Sequence, residues 1–383
     1  MKSVSAAKLA LIMTLITSEA MASAAFDTTH VQPVGVSTAD GQVVCNVSGA
    51  FSQVPGHPDL FVGRGFGTGS LDYCHKLHNA LAFLALFHMD WQQHKLTMGE
   101  ILLKPPVKTS SGVELHNAYD PYVAEYQGTL WVAFECTVPN AVSSCIVPLN
   151  LQSNTLDLSR LSVPVEGTLG PHGAHKQIVG LLSASAPTLL AYSGRLILYW
   201  QVDAFDNQLP ENPLVTRGGD LQLDSHGMLW IGGSPGHPVK TDDPQRTRLV
   251  HDIKEGDPSS DHVAVLSDAM MVDGKVLGVA SVGGTGGQQI CRSTHDVSPG
   301  CWRVALSVST DPLGRNSFGE HRLELPELPA NVIEYPRIIT DPNGHHYLMG
   351  NFQEPKTAAL AKRTRVPAKG LAYVPIEPQI LIR

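Results

Sequence analysis

Short apolar runs recur along this chain in pairs, each pair joined by a turn rich in Gly, Pro, Asp and Ser. Asp120-Pro121-Tyr122-Val123-Ala124-Glu125-Tyr126-Gln127-Gly128 leads into Thr129-Leu130-Trp131-Val132-Ala133-Phe134. Ala186-Pro187-Thr188-Leu189-Leu190-Ala191-Tyr192-Ser193-Gly194 leads into Arg195-Leu196-Ile197-Leu198-Tyr199-Trp200. Looser copies run from Ser267-Asp268-Ala269 through Gly274 into Lys275–Ala280, and from Glu334-Tyr335-Pro336 through Gly344 into His345–Met349. Each copy reads as a strand, a tight turn and a second strand, with Gly supplying the positive φ of the turn.

The turn glycines at 128, 194, 274 and 344 set a period of 66 to 80 residues. About 70 residues hold four short strands and their loops, and further strand candidates such as Asp220–Asp224 and Met228–Ile231 fall between the copies. Five such units fill the chain, which predicts an all-β fold: a five-bladed β-propeller of four-stranded antiparallel blades, one domain over residues 25–383. The remaining copy is expected between roughly residues 45 and 105. There Leu71–Met89, rich in Ala and Leu and uninterrupted by a turn, reads either as a blade, by analogy with the other units, or as a buried helix. A circular repeat closes by joining its terminal strands, so Val374–Ile382 is expected to pair near residue 25.

Composition narrows the class. Only 16% of residues are charged, against roughly 25% in an ordinary soluble domain, and the 35 Gly and 27 Pro fit a loop-rich β protein. A formal charge of -8 speaks against nucleic acid as a partner, since phosphate binding needs a basic face. Lys2 and Lys8, the apolar run Leu9–Ile16 and the small-residue end Ala22-Ser23-Ala24 form the pattern of a signal peptide over residues 1–24, too short in its apolar part to span a bilayer. A secreted or periplasmic protein is expected. All six cysteines lie beyond it, so disulfides are the default: Cys136 with Cys145 and Cys291 with Cys301 across short loops, then Cys45 with Cys74 by elimination. No C-x-x-C spacing supports the rival zinc reading.

With these motifs the chain resembles the five-bladed propeller glycosidases that act on furanosides and related sugars, such as arabinanases, xylosidases and fructosidases. The resemblance rests on Tyr119-Asp120-Pro121 with Leu130-Trp131-Val132, and on Ile333-Glu334-Tyr335-Pro336 with His346-Tyr347-Leu348, and spans residues 110 to 355. It implies glycosidic-bond hydrolysis of an oligo- or polysaccharide, with Asp120 as general base or nucleophile, Glu334 as general acid and Asp268 as a third carboxylate that tunes the acid and holds the sugar. Such cleavage needs one carboxylic acid to protonate the leaving oxygen and one carboxylate on the opposite face. Two departures stand out: Ala186 occupies a place where the family often has an acid, and Ala269 rather than Pro follows Asp268. An Asp before Pro also serves structure, by accepting nearby backbone N–H groups.

Tyr119, Tyr122 and Tyr335 adjoin these acids and are expected to line the sugar cleft, whereas Trp131 and Trp200 are expected to pack between blades. No organic cofactor is expected; the resemblance implies an axial ion, often calcium, with His116 and His262 as its conceivable neighbours. The pair His172 and His175 lacks a third ligand set by spacing. Gly283–Gly287 lacks the lysine and context of a phosphate-binding loop, and Asn46-Val47-Ser48 matches a glycosylation triplet. The alternative to a hydrolase is a non-catalytic propeller that binds glycan or protein.

Overall fold

The computed structural model describes residues 31–45, 51–76, 81–110, 112–138, 141–167, 182–202, 215–232, 235–251, 263–283, 303–325, 331–353 and 369–382. The signal-peptide segment, Asn46–Ser48, His172, His175, His262, the glycine loop beyond Gly283, and Cys291 with Cys301 lie outside them.

Five antiparallel units follow one another along the chain. The first is Ser52–Val54, His57–Gly65, Phe83–Asp90 and Lys95–Leu103; the second is Ala118–Tyr126, Thr129–Val138, Ala141–Asn150 and Ser162–Glu166. The third is Ser185–Tyr192, Arg195–Val202, Val215–Leu223 and Leu229–Ile231, and the fourth Val263–Val272, Lys275–Gly283, Arg303–Ser309 and His321–Leu325. The fifth takes Asn331–Thr340, His346–Gln353 and Lys369–Ile376 from the C-terminal part and completes itself with Gln32–Thr38. This is the predicted all-β propeller architecture of successive antiparallel sheets, with the last and first units joined in one sheet. In its closing blade Gln32, Pro33 and Val34 pair with Tyr373, Ala372 and Leu371, while Gly35–Thr38 run parallel to Lys95–Met98 of the first unit. Closure thus uses a strand slightly earlier than expected, because Pro378–Ile382 forms a short helix.

The turn glycines do what their positions require. Gly128, Gly194 and Gly274 have φ of 72°, 76° and 79°, each after a residue with φ near 50°: Gln127, Ser193 and Asp273. Two successive positive φ values make the hairpin turn whose twist matches its strands. Leu71–Met89 divides, with a short helix at Leu71–Lys76 and a strand at Phe83–Asp90. The Ala/Leu run shows no alternation because residues 82–87 are buried on both faces of an interior strand.

Apolar side chains gather between blades rather than in one central core. One cluster joins Val62 and Leu86 of unit one to Val132 and Phe134 of unit two; another joins Trp131 and Ile146 to Leu198 and Trp200 of unit three. Ile197 and Tyr199 meet Leu266 and Phe318 of unit four, and Leu277 and Leu306 meet Leu348 and Val374 of unit five. The last returns to the start, with Ile339, Met349 and Leu371 against Phe61 and Phe87. Trp131 and Trp200 are fully buried in one of these seams, as expected. Cys136–Cys145 and Cys45–Cys74 are bonded, both as expected.

Because each seam is close-packed, deleting a large side chain leaves a cavity. Trp200→Ala, which also removes the indole bond to Thr241, is expected to cost about 3–5 kcal/mol, read as a lower urea midpoint with an unchanged slope.

Candidate functional site

Every inner strand from the second unit on carries an irregularity near its start. Ladder pairing in unit two jumps from Tyr119–Glu135 to Tyr122–Ala133, leaving Asp120-Pro121 as a bulge. Ala186-Pro187 is the same bulge in unit three, between Ser185–Gln201 and Thr188–Tyr199, and Tyr335-Pro336 repeats it in unit five, between Glu334–Asn351 and Arg337–Met349. Unit four has a single extra residue, Ser267, between Leu266–Ala280 and Asp268–Val279. A bulge re-aims the side chains around it.

The three expected carboxylates therefore hold three different register positions. Glu334 precedes the bulge, as Tyr119 does; Asp120 lies in it; Asp268 follows it, as Tyr122, Thr188 and Arg337 do. Asp120 and Asp268, which sequence spacing had aligned, therefore stand at different places relative to the bulge. The side chains of Glu334 and Tyr335 lie outside the described residues.

Asp120 is buried, 1% exposed, with φ of 47°, a region that Asp tolerates better than most residues. Its Oδ1 accepts from Arg64 Nη1 at 2.6 Å. The Arg64 guanidinium lies 5.6 Å from the Tyr119 ring centre and 5.7 Å from that of Phe66, and the two rings are 5.8 Å apart. Tyr119 is half-buried. Burial pushes its hydroxyl pKa up, the charges of Glu135 and Asp120 add to this, and Arg64 opposes it. Glu135, across the ladder from Tyr119, accepts at Oε2 from the Ala186 N–H at 3.4 Å. This constellation sits at the end of the inner strands opposite their hairpin turns. His116, four residues before Asp120, is exposed and donates its N–H to Thr137.

Asp268 belongs to a different environment. It is 4% exposed; Oδ1 accepts from the Tyr122 hydroxyl and from Ala269 N–H at 2.8 Å, and Oδ2 accepts from Ile338 N–H at 2.6 Å. Arg337, 3% exposed, lies 4.8 Å from the Tyr122 ring centre and donates to the Pro121 carbonyl. Tyr122, Asp268 and Arg337 line a cavity of about 570 Å³ that opens between Pro55-Gly56 and Asp341–Gly344, at the hairpin-turn end. Asp120 and Tyr119 do not line it. Tyr122, expected beside the sugar near Asp120, instead commits its hydroxyl to Asp268. Burial raises the Asp268 carboxyl above its usual 3.8, against the hydrogen bonds from Tyr122 and Ile338 and the Arg337 charge, which lower it; burial and the Asp268 charge push the Tyr122 hydroxyl well above its usual value.

Among the described residues no group of three or more His, Cys, Asp or Glu is arranged to hold a metal ion. The described groups do not fit an axial cation either: Asp268 already accepts three hydrogen bonds, and a guanidinium stands beside it. Sequence reading missed Arg64, Glu135 and Arg337. Arg337 directly follows the Glu-x-Pro motif and was within its reach; Arg64 and Glu135 lie outside any repeated motif, on second strands.

No family model matches the sequence, and no curated protein matches it. The chain is similar to solved structures of a GH43_1 enzyme from Xanthomonas citri (14% identity, 93% of this chain and 92% of that one, TM-score 0.44) and an endo-arabinase from Bacteroides thetaiotaomicron (10%, 91% and 98%, 0.48). It is also similar to a GH43 endo-arabinanase from Bacillus licheniformis (10%, 89% and 96%, 0.45). At these identities and TM-scores the likeness places no residue and names no substrate.

Asp268 is a strut between units, so its removal is a stability experiment. Asp268→Asn cannot accept the Ile338 N–H at its amide nitrogen, and a loss of about 1–3 kcal/mol is expected. The raised carboxyl gives the native state its extra proton only above the unfolded value, so wild-type stability from this group is full below pH 3.8 and declines as pH rises through the raised value. The gap between wild type and variant is expected to narrow over that window in urea titrations.

Proposed function

We propose that this chain is a secreted or periplasmic glycoside hydrolase acting on an oligo- or polysaccharide. The observation that carries the reading is Asp120: a buried carboxylate in a left-handed bulge, held by Arg64, at the strand end that also carries Tyr119 and, across the ladder, Glu135. Asp120 acts as general base or nucleophile, and Glu334, from the inner strand of unit five, donates the proton to the leaving oxygen. Arg64 fixes which oxygen of Asp120 is occupied and leaves the other to meet water or the anomeric carbon. The half-buried Tyr119 ring offers an apolar face to the C–H groups of a sugar. The leader pattern at Met1–Ala24 and two disulfides support export to an oxidising compartment. Among the described residues no helix is long and apolar enough to cross a membrane.

A second reading, a glycan-binding propeller without catalysis, is favoured by Ala186, which occupies the Asp120 position of unit three and carries no acid. Sugar release from a panel of oligosaccharides and aryl glycosides separates the two. Asp120→Asn and Glu334→Gln are each expected to lose about 10²–10⁴-fold in kcat, with the fold checked by circular dichroism. Binding of glycan without turnover, unaffected by either substitution, establishes the second reading instead.

A further inference from the structure

The cavity at the hairpin-turn end plays no part in the hydrolase reading, which places its chemistry at the other end of the inner strands. Three units supply its apolar walls: Val54, Pro55 and Pro58 from unit one, Met270 from unit four, and Ile338 with the turn residue Pro342 from unit five. At about 570 Å³ it has the size of a small-molecule pocket, well above the space that a single buried water fills.

Most of the polar groups that line this space are already engaged. Gln53 Nε2 donates to the carbonyls of Pro58 and Thr340, and its Oε1 accepts the Thr340 N–H. Asp341, at the rim, meets the N–H groups of Asn343 and His345, the His345 ring and the Tyr347 hydroxyl. Two positions differ. Ser52 is 4% exposed and its Oγ accepts the Val123 N–H at 2.8 Å, but among the described residues its own hydroxyl proton has no acceptor. Asp268 Oδ1 takes two donors, whereas among the described residues Oδ2 takes only the Ile338 N–H, which leaves it a further acceptor site. One buried donor and one buried acceptor call for a group that is both, and a hydroxyl is such a group. Charge is disfavoured, because the Asp268 carboxylate and the Arg337 guanidinium both line the cavity and an ionic head attracted by one is repelled by the other. A sugar would leave most of its hydroxyls without partners against proline and valine.

We propose that this cavity is a second ligand site, independent of the hydrolase reading, that binds a neutral phenol. The phenol hydroxyl accepts from Ser52 and donates to Asp268 Oδ2, while its ring lies among the prolines and Met270, whose thioether makes favourable contact with aromatic rings.

The test uses the mature full chain with isotope-labelled methionine methyl groups, the Met270 resonance being assigned through Met270→Leu. Titration with p-cresol is expected to shift the Met270 methyl and to saturate. Toluene, which lacks the hydroxyl, is expected to bind with a Kd roughly tenfold higher, cyclohexanol and p-toluate more weakly than p-cresol, and methyl xyloside not to move Met270. Ser52→Ala, with its fold checked by thermal melting because Ser52 also holds the Val123 N–H, is expected to bring p-cresol down towards the affinity of toluene and to leave toluene unchanged. An unmoved Met270 methyl, equal affinity for p-cresol and toluene or cyclohexanol, tighter binding of p-toluate or the xyloside, or wild-type affinity for p-cresol in Ser52→Ala overturns the proposal. None of these readouts needs turnover, so failure of the hydrolase reading leaves the test intact.

Discussion

The structure depends on the fact that no blade can bury its own faces. A four-stranded sheet with Val, Leu, Phe and Trp on both sides leaves apolar surface to water unless a neighbour covers each side. Each of the five main apolar clusters here joins two consecutive units, and the fifth joins the last unit to the first. Stability is therefore a property of the ring. This is why a strand from the beginning of the chain, Gln32–Thr38, completes the blade made by its end and then runs on along the first unit.

The same constraint brings the inner strands together, and there polar groups take over from apolar ones. Val123 N–H reaches Ser52 Oγ, Thr188 Oγ1 reaches the Ser267 carbonyl, Ile338 N–H reaches Asp268, and Gln53 brackets both the N–H and the carbonyl of Thr340. Each inner strand is an edge of its sheet, so its backbone groups have no ladder on that side. Side chains from a neighbouring unit supply the missing partners. Asp268 belongs to this set. Its burial and its three hydrogen bonds describe a strut between units, and the Arg337 bond to Pro121 ties the strut region to the peptide that follows Asp120.

At the opposite end of the same strands the bulges change what the side chains do. A bulge places Asp120 against Arg64 of the preceding unit, and leaves Ala186 of the following unit open to Glu135. Two carboxylates, a guanidinium and two aromatic rings thus come from three strands of units one and two and the residue that follows one of them, Phe66, around a backbone position contributed by unit three. That arrangement combines fixed charge with an apolar face.

By itself the sequence determined the repeat and its turns, because each of these is local. A Gly that follows a residue with positive φ, an unbroken apolar run, and two cysteines nine residues apart are decided within a hairpin. The Asp120-Pro121 bulge was legible for the same reason, since Asp-Pro marks the start of its strand. What only the tertiary structure decided is the direction of side chains relative to other blades. The bulge falls at a different register in unit four than in unit two, so that Asp268 sits after it and lines the cavity with Tyr122 and Arg337, while Asp120 sits within it. Arg64 and Glu135 carry no motif, because their partners lie in neighbouring strands and units, and no spacing along the chain encodes a contact made across a seam.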